Sequence, residues 1–225
     1  MTQRSSLADE AFEVIHGAIL DGTLALDRPL SETDLAELAG VSRTPVRSAL
    51  QRLELEGYIE RLGRGGLAVR RMTRSEIADV FLVRELVEGF GARLAAERIS
   101  PEEIGRLRTL LRSDWLALRH SEIPELARVN EELHALILAA SRNRALQDLV
   151  NNLRRRVAWV RAFAVGKPQD RTRFVEQHEQ LVNLIEDGDS DRAEALARRH
   201  LRAARDVLLT DVPAETTSEQ PSPAH

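Results

Sequence analysis

Residues 31–58, SETDLAELAGVSRTPVRSALQRLELEGY, spell two short helices joined by a tight turn. Ser31 stands where an N-cap belongs, with Asp34 three residues on, and Leu35, Ala36 and Leu38 follow before Gly40 ends the first helix. Ser42 opens the second, which accepts Pro45 in its first turn and turns Val46, Leu50 and Leu53 toward a core before Gly57. A glycine-containing turn of three residues between two short helices is the spacing of a helix-turn-helix. Arg43 and Arg47 are four apart and share the face opposite Val46 and Leu50. One face of the second helix therefore holds and the other reads. A guanidinium offers guanine O6 and N7 a two-pronged fork, so Arg43 and Arg47 are candidate base readers, with Ser42 and Thr44 at the helix start as phosphate contacts.

On the N-terminal side, Leu7, Ala11, Val14, Ile15, Ala18 and Ile19 recur at helical spacing up to Gly22. On the C-terminal side, residues 58–62 and 67–71 alternate weakly around Gly63-Arg64-Gly65-Gly66, the pattern of a β-hairpin with a glycine tip. A hairpin after a recognition helix is a wing. Arg64 at its tip is a candidate contact to phosphate or the minor groove.

Charge distribution agrees with this reading although the net charge of −4 does not. Residues 1–41 hold two Arg and eight acids, net −6, whereas residues 42–74 hold eight Arg and three Glu, net +5. For a DNA binder the location of positive charge matters more than the total. No cysteine is present, which excludes disulfides and thiolate metal sites and fits a reducing cytoplasm. No apolar run is long enough to span a bilayer, and MTQRSSLADE lacks the apolar core of a signal peptide.

Beyond Arg74 the strand pattern stops and about six helices are predicted, with breaks at Ser100-Pro101, Ile123-Pro124, Ser141–Asn143, Gly166–Pro168 and Gly188-Asp189. Val83, Leu86, Val87, Phe90 and Leu94 form one apolar stripe, and Ile104, Leu107, Leu110 and Leu111 another. The fold expected is mostly α. A winged helix-turn-helix with a small hairpin occupies residues 1–73, an all-α helical bundle 74–210, and a disordered tail rich in Pro, Ser and Thr 211–225.

Residues 7–71 resemble the winged helix of the GntR family of bacterial transcription regulators, with VSRTPVRSALQRLELEGY standing in the family's order without gaps. The resemblance implies DNA contacts at Arg43, Thr44 and Arg47, and lesser ones at Thr33 and Gly65. Asp27-Arg28-Pro29 departs from the family's proline-glycine pair. A single helix-turn-helix contacts few base pairs, so a homodimer on a short inverted-repeat operator is expected, formed through apolar helix surfaces of the second domain.

In the second domain, Asn130 and His134 lie one turn apart on one helix face, and His178 and His200 lie in the last two helical stretches. Packing that joined them would make three imidazoles and an oxygen, a set suited to Zn²⁺ or Ni²⁺. Residues 74–209 resemble the FCD ligand-binding domain of the FadR subfamily, which implies this same ligand set, with Asn130 where Asp is commoner. An amide in place of a carboxylate leaves the site near +2, which should weaken metal capture and strengthen the pull on an anion. The expected effector is a small carboxylate completing the metal's coordination. By the same resemblance Arg84 is its second anchor, against the alternative of a surface salt bridge with Glu88. Two other readings compete. A metal-activated water would make a hydrolase, with Glu131 or Glu179 as base, and a site without a separate effector would make a metal sensor.

Overall fold

The computed structural model describes residues 6–26, 28–63, 65–162 and 168–212. The chain divides into two compact units, Met1–Met72 with Asp148–Val165, and Thr73–Gln147 with Gly166–His225.

The first unit begins with α1, Leu7–Leu20, whose N-terminus is closed by a reciprocal capping box between Ser6 and Asp9. The helix-turn-helix follows as α2, Glu32–Ala39, and α3, Arg43–Leu55. Gly40 makes the turn between them in the left-handed region, φ 65°, where a side chain would be strained. Helix α1 packs on α2 and α3, and Phe12, Ile15, Ile19, Leu35, Val46, Leu50 and Leu53 are buried there. Full burial of each such side chain contributes roughly 1.5–3 kcal/mol. Leu7, Val14 and Leu38 remain exposed, so the apolar periodicity overstated the width of the buried face.

The hairpin is present as β2, Ile59–Arg61, and β3, Leu67–Val69, in antiparallel register with Ile59 opposite Val69. A strand the sequence reading missed, β1 (Pro29–Leu30), adds to the other edge of β3 and gives the order β1-β3-β2. Two residues are too few to show alternation. They lie beside the Asp27-Arg28-Pro29 departure noted above, of which Asp27 lies outside the described residues. Pro29 lies in an edge strand, the place in a sheet where proline is tolerated.

The remaining helices are α4 (Arg74–Arg98), α5 (Pro101–His120), α6 (Ile123–Ala140), α7 (Arg144–Ala162), α8 (Pro168–Glu186) and α9 (Ser190–Asp211), six among the described residues. Capping boxes at Thr73/Glu76 and Ser100/Glu103 start α4 and α5. The division between units falls inside α7. Helix α4 packs on α6, α8 and above all α9. It does so through small residues, Gly89, Gly91, Ala92, Ala95 and Ala96, which let the backbones approach.

That choice of face inverts the sequence expectation. Val83, Leu86 and Phe90 are more than 40 % exposed, while the polar Arg84 and Glu88 are buried. Of the apolar stripe read on α4, Leu94 is buried and Val87 half-buried, while Val83, Leu86 and Phe90 lie outside this unit's own core. The α5 stripe behaves as read: Ile104, Leu107 and Leu111 are buried against Leu133, Leu181 and Ile185. The tail read as disordered lies, from residue 213 on, outside the described residues.

Candidate DNA-reading helix and candidate metal centre

Arg43, Thr44 and Arg47 are all exposed on α3, opposite the buried Val46, Ala49 and Leu50. Neither arginine floats freely. Arg43 Nη2 donates to Thr33 Oγ1 at 2.9 Å, and Arg47 Nε donates to both carboxylate oxygens of Glu32, the nearer at 2.8 Å. The first turn of α2 thus orients the two guanidinium groups. Thr33, read as a lesser contact, is the residue that holds Arg43, and Glu32, which sequence reading did not single out, holds Arg47.

Ser42 occupies the N-cap position with extended backbone but makes no side-chain cap hydrogen bond. The residue three on is Pro45, which lacks the N–H that a capping hydroxyl usually accepts from. Ser42 is exposed, and its hydroxyl is not committed to the helix it begins. Gly65 and Gly66 hold the wing turn at φ 85° and 110°, with open space where a Cβ would stand. Arg64 lies outside the described residues.

Arg52 belongs to the same basic block but serves the scaffold. Its guanidinium lies 3.8 Å from the centroid of the Phe12 ring, and its Nε donates to Glu56 at 2.8 Å. The bond to Glu56 raises the guanidinium's pKa above its ordinary value. Arg61 is likewise tied to Glu54 through two hydrogen bonds. Within the positive block, Arg52 and Arg61 are thus tied to the scaffold, while Arg43 and Arg47 stay exposed on α3.

In the helical unit, α6, α8 and α9 bring His134, His178 and His200 together, with one ring nitrogen of each within 4.8 Å of the others. Their ring centroids are 4.9–5.3 Å apart. Imidazole ligands at ~2.0–2.1 Å from a tetrahedral ion sit about 3.4 Å from one another, so closure on Zn²⁺ needs a contraction of at most about 1.4 Å. His178 and His200 are buried and His134 is half-buried. His178 Nε2 is buried without a hydrogen-bond partner, as a nitrogen awaiting an ion would be. Asn130 is half-buried one turn before His134 on α6.

Two neighbours orient these rings from behind. Asp114 Oδ2 accepts from His178 Nδ1 at 2.7 Å, and Gln177 Oε1 accepts from His200 Nδ1 at 3.0 Å. Asp114, 1 % exposed, was missed from sequence. A signal for it exists: it falls in register with Leu107, Leu111 and Ala117 on the buried face of α5, where an acid is out of place. Arg84 is buried, and the Glu88 partner offered as its alternative is there, with Nε donating to Oε1 at 2.8 Å. The pair is buried, not on the surface, and Arg84 Nη1 has no acceptor. Glu131 and Glu179, weighed as bases, are both exposed on their helices.

Comparison with known proteins agrees with both halves. Residues 7–69 match the gntR family of bacterial regulatory proteins and residues 79–203 match the FCD domain. The chain is 30 % identical to the Nta operon transcriptional regulator of Aminobacter aminovorans, over 80 % of this chain and 84 % of that one. It is 28 % identical to a probable D-xylose utilization operon transcriptional repressor of Paenarthrobacter nicotinovorans, over 89 % and 88 %. In fold it is similar to E. coli McbR/YncC, with a TM-score of 0.78 at 20 % identity, covering 92 % of this chain and 98 % of that one. With a helix-turn-helix, a wing and a helical domain in this order, the chain belongs to the GntR family of bacterial transcriptional regulators, carries an FCD domain, and is a DNA-binding protein rather than an enzyme.

Proposed function

We propose that the chain is a homodimeric repressor of the FadR type, acting in the cytoplasm, in which the winged helix of residues 1–73 reads a short inverted-repeat operator. The helical domain of residues 74–210 controls that binding. It does so by taking a small carboxylate, an organic or sugar acid, at a Zn²⁺ or Ni²⁺ ion held by Asn130, His134, His178 and His200.

The observation that carries the control site is the convergence of three imidazoles from three helices around the unpartnered His178 Nε2. Arg84 supports an anionic guest. It sits on α4, the helix packed against all three histidine-bearing helices, and a buried guanidinium N–H without an acceptor costs free energy that a carboxylate oxygen would recover. In this reading Arg43, Thr44 and Arg47 contact bases and phosphates, with Thr33, Ser42, Arg64 and Gly65 at the edges of the footprint. The stripe of Leu82, Val83, Leu86 and Phe90, exposed on α4, supports dimerisation. The relatives' names contribute operon control and nothing about which acid is bound.

Isothermal titration of a carboxylate panel into Zn²⁺- or Ni²⁺-loaded protein, and into the chelator-treated chain, tests the effector site. Binding that requires the metal, and that shifts operator affinity, is the expected result. Binding unchanged by metal removal defeats the proposal. The alternative in which the ion alone is the signal is favoured by the buried Asp114 carboxylate behind His178. A gel shift with the metal alone separates the two.

A further inference from the structure

We infer that Asp114 is the positioning residue of the metal centre. It fixes His178 with its proton on Nδ1 and its lone pair on Nε2, and it supplies from outside the ligand shell the negative charge that Asn130 leaves out of it. The inference rests on reading the histidine cluster as a metal site.

Asp114 lies on a different helix, α5, from every ligand, and is 1 % exposed. A carboxylate in such a place is costly unless it is paired and hydrogen-bonded. Its Oδ2 lies 2.7 Å from His178 Nδ1, and His178 is itself 2 % exposed. An ionised carboxylate only accepts, so the bond requires the hydrogen on Nδ1. Nε2 is then the nitrogen that ligates, and it is the one that is buried without a partner in the cluster. A carboxylate behind a ligating imidazole holds the ring's orientation and raises its basicity.

The charge follows from the same bond. Three neutral imidazoles and the Asn130 amide around a divalent ion carry +2, and a buried Asp114 brings the assembly to +1. In a water-excluded interior one charge behind a ligand is weakly screened. Asp114 thus places a negative charge one ligand removed from the ion. His200 shows the contrast, because its Nδ1 is held by the neutral amide of Gln177.

The test uses the full chain and measures Zn²⁺ and Ni²⁺ affinity by competition with a chromophoric chelator. Asp114→Asn keeps the shape and removes the charge, and should weaken metal binding by about 10- to 100-fold. Asn130→Asp placed on top of it should recover at least tenfold, because the acid has been returned to the ligand shell. Asn130→Asp in the parent is the control: its gain should be smaller there, where Asp114 already supplies the charge, and an equal gain in both backgrounds overturns the inference. If a folded Asp114→Asn chain binds metal as the parent does, even with a lower melting temperature, the inference is overturned. Should that variant not fold, the ¹⁵N imidazole spectrum of the Zn²⁺-loaded parent decides. A His178 with its proton on Nδ1 and zinc on Nε2 supports the assignment, and zinc on Nδ1 overturns it. A parent chain that binds neither metal overturns the reading of the cluster itself.

Discussion

Replacing Arg47 by alanine should abolish most of the protein's preference for its operator while leaving its fold intact. The Arg47 side chain is 64 % exposed, and its partner Glu32 is 37 % exposed at 2.8 Å. An exposed pair of this kind is worth about 0.2–1 kcal/mol, which bounds the loss of stability. A guanidinium fork on guanine is worth about 1–3 kcal/mol of discrimination, so reading outweighs the internal pair and the contact to Glu32 can be given up on binding. The proposed dimer would place two copies of Arg47 on the two half-sites, for a total of about 2–6 kcal/mol, or roughly thirty-fold to twenty-five-thousand-fold in specificity. The assay is fluorescence anisotropy at one fixed salt concentration, on an operator selected from a random duplex pool and on its scrambled counterpart. Arg52→Ala is the control. With Arg52 stacked on Phe12 and bonded to Glu56, its loss should lower the melting temperature and leave the operator-to-scrambled ratio unchanged. If Arg47→Ala weakens both duplexes equally, Arg47 holds phosphate and does not read bases, and the reasoning fails.

Three further outcomes are expected. Gly17→Ala in α1 and Gly105→Ala in α5 meet open space and should each stabilise by roughly 0.5–1 kcal/mol, whereas at Gly89 the added Cβ would stand 2.6 Å from Arg198 Cγ and should lower the urea midpoint. Glu103 is held below its ordinary value of 4.5, first by the Ser100 backbone N–H and also by Arg142, so it stabilises the fold above that pH and less as its folded-state value is passed on acidification. The stability gap between parent and Glu103→Gln, measured by urea melts, should be present at neutral pH and close as the pH falls below 4.5. Phe90→Glu together with Leu86→Glu should convert the proposed dimer to a monomer in sedimentation without lowering helix content, since both side chains are exposed within the chain.

The DNA-reading half was legible from sequence because its information is local. The caps, the Gly40 turn, Pro45 and the four-residue spacing of Arg43 and Arg47 all act within one or two helical turns, where periodicity and steric rules suffice. The breaks from α4 to α7 and between α8 and α9 were legible for the same reason; Gly166 and Lys167, of the break read at Gly166–Pro168, lie outside the described residues. What holds the readers in place was less so. Glu32 reaches Arg47 across 15 residues and Thr33 reaches Arg43 across 10, over a turn whose geometry only the fold supplies.

By itself the sequence determined the order and type of the elements apart from β1, and which residue kinds were available for DNA and for a metal. Tertiary structure decided which faces meet. Helix α4 buries Gly89, Ala92 and Arg84 and leaves Leu86 and Phe90 outside, because small residues allow the closest approach to α9, and an apolar stripe does not say whose core it fills. It also decided that Asp114 stands behind His178 from 64 residues away. A cluster of side chains that could hold an ion is a point in space rather than a spacing in a chain, so the acid beside it belongs to no motif.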